Sequence, residues 1–375
     1  MYRIFSYLFV VVIIFAAGPA FAQMETPAKQ AVMIDYDTGT VLLDKNADER
    51  MPTSSMSKVM TMYVVSDAIK NGRIHKDDML TVSEKAWRMG GSKMFIEVGK
   101  QVKVEDLIQG VIVQSGNDAT VVLAEGVAGT ESAFADMLNT TAQHLGMKNS
   151  HFMNASGWPD PDHYSTARDL ATLAWHTIHD FPDEYHYYSE LEYTYNNIHQ
   201  PNRNPLLFRG IGADGIKTGH TEDGGYGVIG SGVMNGRRVI LVVNGLASEK
   251  DRAQESARLL EWGLKAFKNV SLFKEGATVA SIPVALGDSN EVPATVDKDL
   301  GVTIPASVRN DMKVEAVYDS PLKAPVKKGQ NVGLLRITVP RLPVMEVPLV
   351  AAYDVKPMNA FSGVFAKMKI LMGGV

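Results

Sequence analysis

Three short stretches, well separated along the chain, constrain its fold more than any other feature. They are Ser55-Met56-Ser57-Lys58, Ser115-Gly116-Asn117 and Lys217-Thr218-Gly219. Each supplies a different chemical group: a serine with an amine three residues on, a polar turn, and a cation beside a glycine. If the three act together, the fold must bring distant segments into one cleft.

Ser55 has the setting of a reactive serine. It precedes an apolar run of helical period that ends at Asn71-Gly72. Residues three apart share a helix face, so the Lys58 amine can reach the Ser55 hydroxyl, which needs an adjacent base before it can attack a carbonyl. The alternative is that Ser55 caps the helix, a role compatible with the catalytic one. The same spacing recurs without such a helix, at Ser271/Lys274 and Ser320/Lys323.

The second stretch interrupts an apolar helical run that begins at Leu107 and resumes at Ala119. Two polar side chains therefore emerge between buried helices. Ser115 can pass a proton between an amine and a leaving group, and Asn117 can hold an amide through its donor and its acceptor. The alternative is an ordinary turn with an Asn cap.

The third stretch precedes a predicted strand pair, Tyr226 to Met234 and Arg237 to Leu246. The turn between these strands is Asn235-Gly236, a strong hairpin signal. We therefore place Lys217 on a strand that faces the cleft, where a fixed cation would attract a substrate carboxylate. Gly219 would let a substrate backbone lie close to that strand. The alternative for Lys217 alone is a surface lysine.

Taken together, these motifs resemble those of the low-molecular-mass penicillin-binding proteins that act as serine-type D-alanyl-D-alanine carboxypeptidases. A set of Ser-x-x-Lys, Ser-x-Asn and Lys-Thr-Gly is typical of penicillin-binding proteins and class A β-lactamases. The resemblance covers nearly the whole mature chain. It includes Gln114-Ser115-Gly116-Asn117-Asp118-Ala119, Ser165-Thr166-Ala167-Arg168-Asp169, Asn202-Arg203-Asn204, Asp214-Gly215-Ile216-Lys217-Thr218-Gly219-His220-Thr221 and Leu259-Leu260-Glu261-Trp262-Gly263.

The resemblance implies roles for three residues in an acyl-enzyme reaction. Ser55 would attack the carbonyl of the terminal D-Ala-D-Ala bond of a peptidoglycan stem peptide while Lys58 takes its proton. Ser115 would relay a proton to the departing D-alanine, and water would hydrolyse the acyl-enzyme. A β-lactam would mimic the substrate and acylate Ser55.

The resemblance also implies a substrate-binding set. Lys217 and Thr218 would bind the terminal carboxylate, and Asn117 would bind the peptide amide. The backbone N–H groups of Ser55 and His220 would form the oxyanion hole. The predicted substrate-binding residues are thus Asn117, Lys217, Thr218, Gly219, His220 and Arg252.

One departure separates this chain from the class A β-lactamases, which use a deacylating glutamate. No Glu occurs between Glu131 and Glu184. The loop in which that base would lie offers only Asp160, Asp162 and His163. We give His163 a minor role near the hydrolytic water and leave the deacylation base open.

Two further helices are predicted. The first is expected to begin with Ser165 as its cap. His176 and His179 share one of its faces, but no third ligand is evident, so neither a metal nor a cofactor is predicted. Arg252 opens the second helix, where it either assists carboxylate binding or only pairs with Glu255.

The N-terminus predicts secretion. Residues 1–22 combine Arg3, an apolar core from Leu8 to Ala17 and a final Ala20-Phe21-Ala22, as in a signal peptide. The alternative is an uncleaved anchor, although the apolar run is short for spanning a bilayer.

The chain has no cysteine, which suits an oxidising periplasm. Its net charge of -5 lacks the excess of positive charge that is typical of nucleic-acid-binding proteins.

The remaining 353 residues favour two domains. For residues 23–270 we predict an α/β fold of the α+β type, an antiparallel sheet whose strands come from both ends of the domain and are flanked by helices, as in the penicillin-recognising serine enzymes. For residues 271–355, short β-rich runs predict a small all-β, sandwich-like domain without a catalytic grouping.

Residues 356–375 carry apolar side chains at helical spacing beside lysines, which favours an amphipathic helix lying in a membrane interface. The alternative is a helix docked on its own domain or on an oligomer. We therefore predict a periplasmic enzyme attached to the outer face of the inner membrane. A wall-associated binding protein, or an endopeptidase or β-lactamase variant of the same chemistry, is the alternative function.

Overall fold

The computed structural model describes residues 24–307, 312–340 and 344–358. The signal peptide predicted for residues 1–22 and most of the tail predicted for residues 356–375 lie outside the described residues. Within the described ranges, no helix combines the length and the apolar character that crossing a bilayer requires.

The described chain begins and ends in strands, with most of its helices between them. The helices are α1 Lys58–Lys70, α2 Glu84–Arg88, α3 Val104–Ile112, α4 Asn117–Ala128, α5 Glu131–His144, α6 Ala167–Asp180 and α7 Glu249–Lys265. The strands are β1 Gln30–Asp35, β2 Val41–Lys45, β3 Met79–Thr81, β4 Gln101–Lys103, β5 Glu192–Tyr195, β6 Ile198–Pro201, β7 Ala213–Thr221, β8 Gly225–Met234, β9 Arg237–Leu246, β10 Phe267–Phe273, β11 Thr278–Ala285, β12 Glu291–Thr295, β13 Leu300–Pro305, β14 Lys313–Val317, β15 Leu322–Lys323, β16 Asn331–Thr338 and β17 Met345–Ala351.

The first domain is built on a five-stranded sheet in the order β2-β1-β9-β8-β7. All of its neighbouring strands are antiparallel, and they come from both ends of the domain, as predicted. The β8–β9 turn has positive φ at both Asn235 and Gly236, the conformation that a two-residue hairpin requires.

Both faces of this sheet are covered. Alternate residues of a strand face opposite sides: Ile240 and Val242 of β9 join a core with α1 and α3–α6, whereas Leu241 and Val243 join a second core with α7. Helix α1 is apolar around most of its circumference and is buried in the larger core. The residues that lead into α1 are therefore held at a fixed place against the sheet.

Helix α6 begins one residue later than the sequence predicted. Thr166, not Ser165, is its cap, since the Thr166 hydroxyl accepts the N–H of Asp169. Ser165 instead bridges to Met51 and shares a hydrogen bond with the Ser150 hydroxyl. The predicted cap was wrong because two adjacent hydroxyl residues fit the pattern equally well and tertiary pairing selected between them.

The C-terminal module is all-β, as predicted. A six-stranded sheet in the order β14-β16-β17-β12-β11-β15 and the β10–β13 pair enclose one apolar core. The predicted boundary at residue 270 falls inside β10, which pairs with β13. The module contacts the first domain through polar groups, including a 2.6 Å hydrogen bond between the hydroxyls of Thr38 and Thr303.

Candidate active site

Ser55 lies in a 3₁₀ turn, Ser54–Ser57, that runs directly into α1. Side chains three residues apart eclipse one another in this geometry, and the Nζ of Lys58 lies 2.7 Å from the Oγ of Ser55. No side chain caps the start of the turn or of α1. Ser55 is therefore not a helix cap; its hydroxyl contacts the lysine.

The Lys58 amine is fully buried and has three hydrogen-bond partners. Its Nζ lies 2.7 Å from Ser55 Oγ, from Asn117 Oδ1 and from the carbonyl oxygen of Ser156. The amide and carbonyl oxygens can only accept, so they take two N–H groups. In the neutral amine, the remaining lone pair then faces the Ser55 hydroxyl.

Burial holds the pKa of Lys58 well below its ordinary value, because the charged form loses its hydration. The nearby cations Lys217 and Arg203 lower this pKa further. Both effects favour the neutral amine, which is the form that can accept a proton from Ser55.

The loop that supplies Ser156 packs tightly behind the nucleophile turn. Gly157 has a φ of +77°, and a Cβ there would lie 1.8 Å from the carbonyl oxygen of Ser54. Ser54 itself has a φ of +48°, which is uncommon for a residue other than glycine. The loop and the turn fit together only because residue 157 has no side chain.

His163 also holds this turn, a structural role that the sequence did not predict. Its Nδ1 accepts the N–H of Met153, so Nε2 carries the proton and donates to the Ser57 hydroxyl at 2.8 Å. Burial lowers the pKa of His163 to about 4, and the ring is neutral at pH 7. Both ring nitrogens are used in fixing the structure.

The second motif forms the predicted turn between two helices. Helix α3 ends at Ile112 and α4 begins at Asn117, while Ser115 has a φ of +61°. The amide of Asn117 accepts from Lys58 and donates to the carbonyl of Gly90 at 2.8 Å. One N–H and one lone pair of Asn117 therefore remain for a substrate amide.

The third motif lies on β7, an outer strand of the five-stranded sheet. Lys217 is only 3% exposed, so it is not a surface lysine. Burial, together with Arg203 and Arg252, lowers the pKa of Lys217 to about 7. Its ammonium has no hydrogen-bond partner among the residues that the structure describes, and a ligand carboxylate would supply one.

Gly219 has a packing role besides the predicted one. A Cβ there would lie 2.8 Å from the carbonyl oxygen of Thr53 and 3.1 Å from Cγ of Met56. The absent side chain thus makes room for the nucleophile turn, and Gly219 also lines the active-site pocket. This close approach fixes Ser55 beside the strand that carries Lys217.

Arg252 lies in the first turn of α7 and is 5% exposed. It donates to Glu249 at 2.9 Å, whereas Glu255 pairs with Arg258. The alternative pairing of Arg252 with Glu255 is therefore wrong. The Nε of Arg252 has no hydrogen-bond partner within the described chain.

Arg203 is a site residue that the sequence did not predict. Its flanking residues are fixed: Asn202 donates to the carbonyl of Glu190, and Asn204 accepts the N–H of Leu206. Arg203 is left close enough to Lys58 and Lys217 to lower the pKa of both. The Asn202-Arg203-Asn204 stretch is part of the family resemblance. The sequence around a single arginine in a loop, however, does not indicate which way its side chain points.

These elements surround a pocket of about 300 Å³. Its lining includes Ser55, Ser92, Ser115, Arg203, Thr218, Gly219, His220, Tyr226, Glu249 and Arg252. The His220 ring is stacked on Tyr226 at 3.9 Å. Ser55 is the second residue of the 3₁₀ turn Ser54–Ser57. The first backbone N–H groups of a helical turn have no acceptor within it, so they can bind an oxyanion.

The described residues contain no group of three or more His, Asp or Glu side chains suited to a metal ion.

Comparison with family models identifies both domains. The model of the D-alanyl-D-alanine carboxypeptidase peptidase family matches residues 17–248, and that of the penicillin-binding protein 5 C-terminal domain matches residues 267–357. D-alanyl-D-alanine carboxypeptidase DacA of Escherichia coli K12 is 39% identical over 352 residues, which are 92% of this chain and 87% of DacA.

Solved structures show the same similarity. Penicillin-binding protein 5 from Haemophilus influenzae superposes with a TM-score of 0.82 at 40% identity, over 88% of this chain and 98% of that one. Penicillin-binding protein D2 from Listeria monocytogenes, in its ampicillin-bound form, gives a TM-score of 0.58 at 30% identity, over 63% of this chain and 96% of that one.

Proposed function

This chain belongs to the D-alanyl-D-alanine carboxypeptidase family, and we propose that its reaction proceeds through an acyl-enzyme on Ser55. It is a serine-type carboxypeptidase that acts on peptidoglycan. The single observation that supports the site is the buried Lys58 amine, which joins Ser55 of the first motif to Asn117 of the second.

In the first step, Ser55 Oγ attacks the carbonyl carbon of the D-Ala-D-Ala bond and its proton passes to Lys58. The two acceptors on Lys58 orient the lone pair toward the serine, so no rearrangement of the amine is needed. The backbone N–H groups of Ser55 and His220 stabilise the oxyanion of the tetrahedral intermediate.

In the second step, the C–N bond breaks and the leaving amine of D-alanine takes a proton. Ser115 is 2% exposed, lines the same pocket as Ser55 and has no side-chain hydrogen bond within the described residues. Its hydroxyl can therefore receive the proton from Lys58 and pass its own to the amine, which returns Lys58 to the neutral form.

The free carboxylate of the substrate binds at the cationic end of the pocket. Lys217 and the Thr218 hydroxyl contact it, and the guanidinium groups of Arg203 and Arg252 add charge that does not titrate in the physiological range. A carboxylate bound there leaves the preceding carbonyl beside Ser55, which is why the enzyme removes a terminal residue.

Water then hydrolyses the ester and releases Ser55. No Glu occurs between Glu131 and Glu184, the stretch in which a class A β-lactamase would have its deacylating base. We assign activation of water to the regenerated Lys58 amine, since it is the base in contact with Ser55. A β-lactam would acylate the same serine, as suits a chain similar to an ampicillin-binding protein.

We further propose that the enzyme works in the periplasm, attached to the outer face of the inner membrane. Support comes from the signal-like residues 1–22 and the apolar stripe with lysines in residues 356–375. The protein starting at residue 23 should float with anionic lipid vesicles, and deletion of residues 356–375 should abolish flotation. Equal flotation of both forms would refute the anchor.

The reaction is tested by D-alanine release from a stem pentapeptide. The wild type should release D-alanine, and Ser55→Ala should reduce kcat by about 10³-fold or more. Ser271→Ala is the matched control, because Ser271 has the same spacing to Lys274 but that lysine pairs with Asp299. Equal loss in the two variants, or release unaffected by Ser55→Ala, would contradict the assignment.

A further inference from the structure

A second cavity, of about 660 Å³, adjoins the nucleophile turn. We call it the Trp158 cleft, after the exposed indole on its wall. It begins where the active-site pocket ends: Ser54 precedes the nucleophile, and Thr221 follows His220 on β7. The proposed reaction does not use this cleft.

The direction of β7 relates the cleft to the substrate. In the proposed reaction the carboxylate end of the substrate lies at Lys217, and the scissile carbonyl lies near His220. An extended peptide and a strand advance by similar distances, about 3.3 Å per residue. The residue that precedes D-Ala-D-Ala therefore lies beside Thr221, and a long side chain on it extends toward Asp223; both residues line the Trp158 cleft.

The cleft is acidic. Three carboxylates line it, from Asp160, Asp162 and Asp223, against the one guanidinium of Arg50. Arg50 lies over the ring of Tyr164, 4.5 Å from its centroid. The carboxylates of Asp162 and Asp223 have no side-chain partner among the described residues. The local charge therefore favours a cation.

Ser54 provides an independent sign of a ligand. It is 7% exposed, lines the cleft, and its hydroxyl has no hydrogen-bond partner in the part of the chain described. The hydroxyl is therefore available to a hydrogen-bonding group of a ligand in the cleft. Ser54 directly precedes Ser55, so a ligand group at this hydroxyl lies next to the nucleophile.

Trp158 supplies an apolar wall beside these polar groups. Its indole is 46% exposed, and its ring edge is fixed against Gly90, where a Cβ would lie only 3.2 Å from the indole Cη2. An exposed, fixed indole can cover the methylene groups of a long side chain and attract a cation at its end.

We propose that the Trp158 cleft binds the free side-chain amine of the diamino acid that precedes D-Ala-D-Ala in the stem peptide. The enzyme thereby selects stems whose amine has not been acylated by a cross-link, since acylation removes the charge and adds bulk. This inference rests on the proposed acyl-enzyme reaction and names its substrate more closely.

Two peptides test the proposal: Nα-acetyl-L-Lys-D-Ala-D-Ala, and the same peptide with an acetylated Nε. For the wild type, kcat/KM should be about fivefold higher with the free amine, which corresponds to an ion pair of about 1 kcal/mol. Asp223→Asn and the double variant Asp160→Asn/Asp162→Asn should bring the ratio to within about twofold. Since the readout is a ratio, a general loss of activity cancels.

Glu222→Gln is the matched control, because Glu222 is adjacent and exposed but does not line the cleft; it should keep the wild-type ratio. Equal kcat/KM for the two peptides in the wild type, or an unchanged ratio in both Asp variants, would overturn the proposal. Failure to turn over either peptide or to bind penicillin would instead overturn the acyl-enzyme reaction itself. Acylation by penicillin without peptide preference would leave the reaction standing and remove this inference alone.

Discussion

Lys58 donates a 2.7 Å hydrogen bond from its buried amine to the side-chain oxygen of Asn117. This contact joins the first and second motifs, and it fixes the direction in which the amine faces Ser55. Asn117 is uncharged, so it orients the amine without favouring its protonated form. The protonation state of the base therefore depends on this pair.

Asn117→Asp should inactivate the enzyme at neutral pH, although the two side chains have nearly the same size and shape. A carboxylate 2.7 Å from Lys58 would raise the pKa of the amine and leave it protonated and unable to accept the serine proton. We expect the rate of acylation by labelled penicillin to fall by about 10²-fold or more at pH 7 and to recover as the pH rises.

The control is thermal unfolding, which should show a folded Asn117→Asp protein. Acylation of this variant at the wild-type rate at pH 7 would show that Lys58 is not the base. A folded variant that stays equally slow at high pH would show that Asn117 acts other than through the charge of Lys58.

The pH dependence of kcat/KM should be bell-shaped. On the acidic side activity rises as Lys58 loses its proton. On the basic side, Lys217 has a pKa of about 7: it is charged below that pH and loses the carboxylate-binding charge above it. If that charge is required, kcat/KM should fall by about tenfold per pH unit beyond the basic pKa.

Lys217→Arg separates the two limbs, because a guanidinium stays charged throughout this range. The variant should keep the acidic limb and lose the basic one. A wild-type kcat/KM that stays constant from pH 7 to pH 9, or a basic limb unchanged in Lys217→Arg, would contradict the role assigned to Lys217.

Gly157→Ala should destabilise the protein and impair acylation together. The new Cβ would overlap the carbonyl of Ser54, 1.8 Å away, in addition to the cost of about 1–2 kcal/mol for a side chain in the left-handed region. Gly146→Ala is a matched control, since its φ is also +77° but nothing lies within 4 Å of the added atom.

The loss of unfolding free energy should therefore be larger for Gly157→Ala than for Gly146→Ala by about 1–3 kcal/mol, and only Gly157→Ala should slow acylation. Chemical denaturation and penicillin labelling measure the two quantities. Equal effects of the two substitutions would show that the loop does not press on the nucleophile turn.

His163 should make the protein less stable in mild acid. Its pKa is lowered to about 4 in the folded state and is near 6.5 when unfolded. As the pH falls through this window the unfolded chain binds a proton that the folded chain does not, so stability is lost, by about 3 kcal/mol in total. Above pH 6.5 the contribution is constant.

His163→Gln removes the titration and keeps a donor for the Ser57 hydroxyl. The difference in unfolding free energy between wild type and variant should therefore change between pH 6.5 and pH 4, and only there. Parallel stability curves for the two proteins across that window would contradict a buried neutral imidazole.

The sequence predicted the parts of the site that depend on local pattern. The Ser55–Lys58 spacing, the turn at Ser115 and the Asn235-Gly236 hairpin all have signatures within a few residues. The contacts of Asn117 with the Gly90 carbonyl and of Lys58 with the Ser156 carbonyl could not be predicted. Every residue has a backbone carbonyl, so the pattern of side chains does not indicate which one will act as a partner.

Where local patterns were ambiguous, tertiary packing decided the outcome. Thr166 rather than Ser165 caps α6, since Ser165 is held by other partners. Gly219 was correctly singled out, but the atoms that require it belong to Thr53 and Met56, which no local pattern could have indicated. Arg203 was missed because its direction depends on hydrogen bonds of the residues on either side.

The covalent bond between a penicillin and Ser55 is the most direct sign of the proposed acyl-enzyme reaction. Incubation of the protein with labelled penicillin, followed by proteolysis and mass spectrometry of the labelled peptide, measures that bond directly. We predict a single adduct on Ser55, absent from Ser55→Ala and retained in Ser271→Ala. An adduct on another residue, or labelling that persists in a folded Ser55→Ala protein, would contradict the account.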